Sequence, residues 1–152
     1  MMILIECYND EELVKQLGFR KKQYKHKANK PEVVKGLGKE LGISVGIVDE
    51  DLKANQPSDM RFYQTIKVVG SIKLKRRDEI RYIIEISPYL EEWLYKIAKR
   101  NQIMPENYGL PKEPSKVLKK PDEIFRRFVN DLMNNQDHEI KTVKQWIIEV
   151  TR

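Results

Sequence analysis

The chain has 152 residues, 40% of them hydrophobic and 34% charged, and its 29 Lys+Arg against 23 Asp+Glu give a net charge of +6. These proportions suit one folded domain with a real core and exclude a disordered chain. The longest apolar runs reach only four or five residues, which excludes a membrane-spanning helix.

The opening "MMILIECYND" has no basic stretch ahead of its apolar run, so no secretory signal is expected. The single cysteine, Cys7, rules out an internal disulfide framework and points to a reducing cytoplasm. The positive balance favours polyanionic partners, although many domains carry such a charge for solubility alone.

Met2 to Glu6, "MILIE", reads as a buried strand ending in an acid. In "NDEELVKQLG", Asn9 is placed to cap a helix, Glu12 to complete a capping box, and Gly18 to close it. The basic "FRKKQYKHKANK" suggests a short, wet strand. Pro31 opens a second helix whose apolar face takes Val33, Val34, Leu37 and Leu41, with Gly42 as its end. "ISVGIV" (Ile43 to Val48) is the next strand. Strand, helix, strand, helix, strand is the order of a parallel sheet with crossover helices.

"DLKANQPSDM" is loop-like. "TIKVVGSIKLK" alternates in places, "RRDE" has turn character, and "IRYIIEI" is a strand, so a hairpin around Arg76 is expected. Ser87 and Pro88 suit the cap and first position of a helix carrying Tyr89, Leu90, Trp93, Leu94 and Ile97 on one face. Residues 101 to 121 hold four prolines and read as an irregular connection. Two helical patterns follow, one with Phe125, Phe128, Val129, Leu132 and Met133, the other with Ile140, Val143, Ile147 and Val150. The expected organisation is an α/β domain over residues 1–100, with a mainly parallel central sheet flanked by helices. Residues 101–152 add the Pro-rich connection and a helical extension packed on the same domain.

The chemistry gathers where strands end. Ligands of open parallel sheets bind beyond the carboxyl ends of the strands. The first strand ends in Glu6, with Asp10 in the helix turn after it; the third runs directly into Asp49, Glu50 and Asp51. Alternation sends Asp49 and Asp51 to one side and Glu50 to the other. If the first and third strands are neighbours, about 5 Å apart, Glu6 and Asp49 approach each other. Hard oxygen donors in this grouping suit Mg²⁺ or Mn²⁺, and two such ions about 4 Å apart would stabilise both attacking and leaving oxygens in phosphodiester cleavage. Separately, Asp10 is also a favourable first-turn acid, and the Asp49–Asp51 run also suits a solvated loop start.

This arrangement resembles the Toprim domain, the catalytic module shared by topoisomerases, primases, ribosomal-RNA maturases and the overcoming-lysogenisation-defect nucleases. "ILIECYNDEELVKQLG" is similar to the family's glutamate segment, with Glu6 at the glutamate, and "VGIVDED" to its DxD segment, with Asp49 and Asp51 as the aspartates. Asp10 matches the extra acid of the nuclease branch. The family usually has glycine after the glutamate, where this chain has Cys7. "LEEWL" (Leu90 to Leu94) is similar to a segment of small stand-alone Toprim-like proteins. The resemblance covers roughly residues 2 to 90.

It implies a Rossmann-like Toprim fold and a metal-dependent nuclease acting on DNA or RNA. Glu6 would be the general acid or base, or a metal ligand. Asp49 and Asp51 would hold the metal, with Asp10 and Glu91 as further ligands. A separate protein subunit is a conceivable partner. Two other classes stand beside it: a binding module that keeps the fold without turnover, and a phosphoacceptor receiver domain. The receiver is disfavoured because it places an acidic pair after the first strand, and this chain has Glu6 followed by Cys7.

Between Arg20 and Lys30, basic residues interleave with Tyr24, a pattern that binds phosphates or single strands. Lys25, His26 and Lys30 are its nucleic-acid candidates, Lys30 because it stands at a helix N-terminus. The same segment also reads as a solvated edge strand protected by lysine. "KLKRR" (Lys73 to Arg77) is a second basic cluster, expected at a hairpin tip.

Overall fold

The computed structural model describes residues 1–54, 56–115 and 123–152. The end of the Pro-rich connection, Pro121 included, lies outside the described residues.

Six strands form one mixed sheet: β1 (Met2–Ile5), β2 (Tyr24–His26), β3 (Ser44–Asp49), β4 (Gln64–Val69), β5 (Ile72–Arg76) and β6 (Arg81–Ile86). The spatial order is β2-β1-β3-β6-β5-β4. β2, β1, β3 and β6 are mutually parallel, while β5 runs antiparallel to both β6 and β4. The expected βαβαβ order therefore holds, with α1 (Tyr8–Gln16) and α2 (Lys30–Lys39) as crossovers. A hairpin turns after Arg76, as expected, but a second one turns at Gly70–Ser71, so "TIKVVGSIKLK" is two strands. The period is hard to read because five of the six β4 residues are exposed, on both faces. After β6 come α3 (Leu90–Arg100), α4 (Glu123–Asn134) and α5 (His138–Val150).

The sheet has two unequal faces. On one, Ile3, Ile5, Val45, Ile47, Ile72, Leu74, Ile84 and Ile86 pack against α1, α3, α4 and α5 in a single core. The C-terminal helices share this core through Phe125, Phe128, Leu132, Ile140 and Trp146. On the other face α2 packs, setting Val33, Val34 and Leu37 against Leu4, Val48 and Ile83, and Met60 and Tyr63 join that cluster. Gly46 allows that approach, since a Cβ there would come within 2.8 Å of Val33 Cγ1.

Local starts and stops depart from expectation for identifiable reasons. α1 is capped by Cys7 with Asp10 as its reciprocal partner, so Asn9 and Glu12 are free for tertiary bonds. α2 ends at Lys39 and leaves Leu41 97% exposed beyond it. α3 starts at Leu90 rather than Pro88. No helix among the described residues is long and apolar enough to cross a membrane.

A buried polar cluster ties the C-terminal helices to the sheet. Glu139, 2% exposed, accepts from the N–H of Ser71 at 2.7 Å and from Trp93 Nε1 at 3.3 Å. Its other oxygen lies 2.5 Å from Arg100, which also holds Asp137, the N-cap of α5. Arg100 in turn keeps the Asp137 carboxyl below its ordinary range, at about 2, against the opposing effect of burial.

Candidate functional site

β1 and β3 are neighbours, with Ile5 opposite Ile47, so their carboxyl ends bring Glu6 and Asp49 to one edge. Oε2 of Glu6 accepts from the N–H of Asp49 at 3.0 Å. Asp49 Oδ1 accepts from the N–H of Leu90, the first residue of α3, at 2.9 Å. The N-cap residue of that helix, Tyr89, makes no side-chain cap bond. A carboxylate from β3 takes its place, where the helix dipole favours an anion. Asp49 thus has a structural use as well as a chemical opportunity.

α1 brings two more polar side chains to this edge. Asp10 is 1% exposed, and its Oδ2 accepts from the Cys7 N–H at 3.1 Å and the Cys7 thiol at 3.3 Å. Burial, and then the charges of Asp49, Glu6 and Glu91, push the Asp10 carboxyl well above its ordinary value of 3.8. Burial, and then the neighbouring Asp10, also push the Cys7 thiol up, which disfavours the thiolate.

Glu91 in α3 completes the group. It faces inward, 5% exposed, while Glu92 is only half-buried. Asn9 Nδ2 donates to Glu91 Oε1 at 3.0 Å. Asn9 Oδ1 and Glu91 Oε2 are both buried without a hydrogen-bond partner. Each such orphan costs about 1–3 kcal/mol, and an acceptor left bare among carboxylates is a place for a cation. The hard oxygens, the crowded charge and the orphaned acceptors all fit Mg²⁺ or Mn²⁺. Among the described residues no three His, Cys, Asp or Glu side chains already stand close enough to hold an ion.

Asp51 sits in the left-handed region, with φ 44°, and its N–H donates to Pro88 O at 3.0 Å. A turn, not strand alternation, sets its position relative to Asp49. Glu50 diverges from Asp49 as expected: its carboxylate accepts from Ser87 Oγ at 3.1 Å and lies 3.6 Å from Lys73 Nζ.

The basic candidates fare differently. Lys30 is 7% exposed, and its Nζ donates to Glu50 O at 3.0 Å and Gln56 Oε1 at 2.6 Å, and lies 4.0 Å from Glu85. It braces the β3 end from within instead of facing solvent. Lys25 is exposed and paired to Glu40 at 3.0 Å. His26 is exposed and stacks on Tyr8 with ring centroids 4.7 Å apart.

Sequence reasoning missed Asn9 as a site residue by treating it as a local cap. The signal was its spacing: Asn9 and Leu13 are one turn apart, so the buried face of α1 includes both.

Comparisons with models of protein families, with curated proteins and with solved structures gave no match.

Proposed function

We propose that this chain binds Mg²⁺ or Mn²⁺ at the acidic edge and cleaves phosphodiester bonds of nucleic acid in the manner of a Toprim-type nuclease. The observation that carries the reading is Asp10. Its buried carboxyl meets Glu6, Asp49 and Glu91, which arrive from the ends of β1 and β3 and from α3, beside two buried acceptors, Asn9 Oδ1 and Glu91 Oε2, that have no hydrogen-bond partner.

Glu6, Asp49 and Asp10 would hold the ion, with Asp51 and Glu91 as further candidates. Bound there, the ion would supply positive charge to the phosphate oxygens. Water would attack the phosphorus and Glu6, whose Oε2 accepts from the Asp49 N–H, would take its proton, while the P–O bond to the leaving oxygen breaks and that oxygen takes a proton from solvent.

The test is incubation of the protein with labelled single- and double-stranded DNA and RNA, in Mn²⁺ and in EDTA. Metal-dependent cleavage that disappears in Glu6→Gln supports the reading. Metal binding without cleavage of any substrate favours a second one, a binding module of the same fold that turns nothing over. That alternative draws on the structural use of Asp49 as the cap of α3.

A further inference from the structure

α2 covers only part of its side of the sheet, packing on β1, β3 and β6. Beside it, β5 alternates: Ile72 and Leu74 are buried in the main core, so Lys73 and Lys75 point to the uncovered side. A short 3-10 segment, Ser58–Phe62, stands opposite them. Between that segment and β5 runs an open groove of about 360 Å³.

We infer that this groove binds single-stranded nucleic acid. Its charge is the first reason. Arg61, Lys73 and Lys75 line it against Glu50 and Glu85, and buried Lys30 adds a further cation 4.0 Å from Glu85. Lys73 pairs with Glu50 at 3.6 Å and Lys75 with Glu85 at 3.2 Å, so Arg61 and Lys30 leave the groove net positive, and it lies at the carboxyl end of β3 on the side away from Asp49. An edge of crowded carboxylates repels a polyanion, so a strand reaches it only with cations alongside.

The apolar groups beside those cations are the second reason. Phe62 is 42% exposed, with the guanidinium carbons of Arg61 and Arg77 at 4.8 and 4.7 Å from its ring centroid. Val68 is 57% exposed and pairs across the β4–β5 ladder with Lys73, which puts it on the same face. Unstacked bases settle on aromatic rings and guanidinium planes while their phosphates meet cations. Bases inside a duplex have no free face to offer.

Delivery of a strand to the acidic edge is a purpose that rests on the function proposed above. Binding does not, so it is measured in EDTA. The probes are labelled oligo-dT and oligo-rU of about 20 nucleotides, enough to span a binding site, and a duplex of matching length, read by fluorescence anisotropy across a salt series. The intact protein is expected to prefer the single strands. Arg61→Ala with Arg77→Ala should weaken binding about tenfold and reduce the salt slope by about 0.7 for each phosphate no longer neutralised. Phe62→Ala should weaken it about tenfold with the slope kept. Phe62→Leu, which keeps apolar bulk but lacks the ring, serves if the alanine variant does not fold. Lys22→Ala with Lys25→Ala removes the rival basic segment at the opposite edge of the sheet, while Lys141→Ala with Lys144→Ala, exposed on α5 and away from both, is the neutral control. The groove assignment is overturned if the intact protein binds no single strand at low salt, if it binds duplex equally well, or if affinity is lost from the Lys22/Lys25 variant instead. Oligonucleotide binding without cleavage in Mn²⁺ removes the nuclease reading and leaves the groove. Metal-dependent cleavage with normal binding by the groove variants removes the groove alone.

Discussion

The backbone N–H of Asp49 donates to the carboxylate of Glu6 at 3.0 Å, across two neighbouring parallel strands. This bond fixes the direction of Glu6 before any ligand arrives. Gln at position 6 keeps an acceptor for that N–H but loses the charge. Glu6→Gln should therefore retain the parent thermal midpoint in metal-free buffer, within about 0.5 kcal/mol, and lose the midpoint rise on adding Mn²⁺. A variant that unfolds early, or responds to Mn²⁺ like the parent, contradicts the assignment.

Asp10 sets a pH dependence. Its pKa is raised in the folded state, by burial first and then by Asp49 and Glu6, so folding favours its protonated form. The stability this confers is fully present below the ordinary value of 3.8 and is lost as pH rises through the folded pKa. Asp10→Asn removes the loss. The variant should match the parent in acid and exceed it at neutral pH by on the order of 1 kcal/mol, about 2–4 °C in Tm. Thermal melts across pH in EDTA check the crossover.

Gly70 should not tolerate a side chain. Its φ is +54°, and a Cβ there would stand 2.5 Å from Glu139 Oε1. Alanine strains the turn and displaces the carboxylate that holds Ser71, Trp93 and Arg100. Gly70→Ala should cost roughly 2 kcal/mol or more in urea denaturation. A loss below about 0.5 kcal/mol would show that the cluster does not secure α5 to the sheet.

Lys30 and Lys25 should separate cleanly. Lys30→Met strips one of the two cations near buried Glu85 and frees Gln56, so it should destabilise by roughly 3 kcal/mol whatever the salt. Lys25→Ala breaks only an exposed pair with Glu40 and should cost less than about 1 kcal/mol, fading as salt rises. Denaturation at low and high salt distinguishes them.

These residues also mark what was legible in the sequence. The βαβαβ order, the burial of "MILI" and "ISVGIV" and the arrival of Glu6 and Asp49 at one edge follow from local period and the rules of parallel sheets. Glu91 came into view through the resemblance of "LEEWL", and α3 does bury it. Less was readable where a partner far along the chain decides. Asp49 caps α3 from 41 residues away, and Glu139 meets Ser71 from 68. Lys30 read as a phosphate-facing cation because it stands at the N-terminus of a helix, yet Glu50, Gln56 and Glu85 draw it inward. β4 merged with β5 in the pattern because a strand exposed on both faces has no apolar period.

The most direct test of a cation at the acidic edge is a crystal structure of the protein soaked in Mn²⁺, with the ion located by its anomalous signal. The expected result is a Mn²⁺ within about 2.0–2.4 Å of oxygens from both Glu6 and Asp49. A well-ordered edge that stays without Mn²⁺ while the ion binds elsewhere, or nowhere, would contradict it.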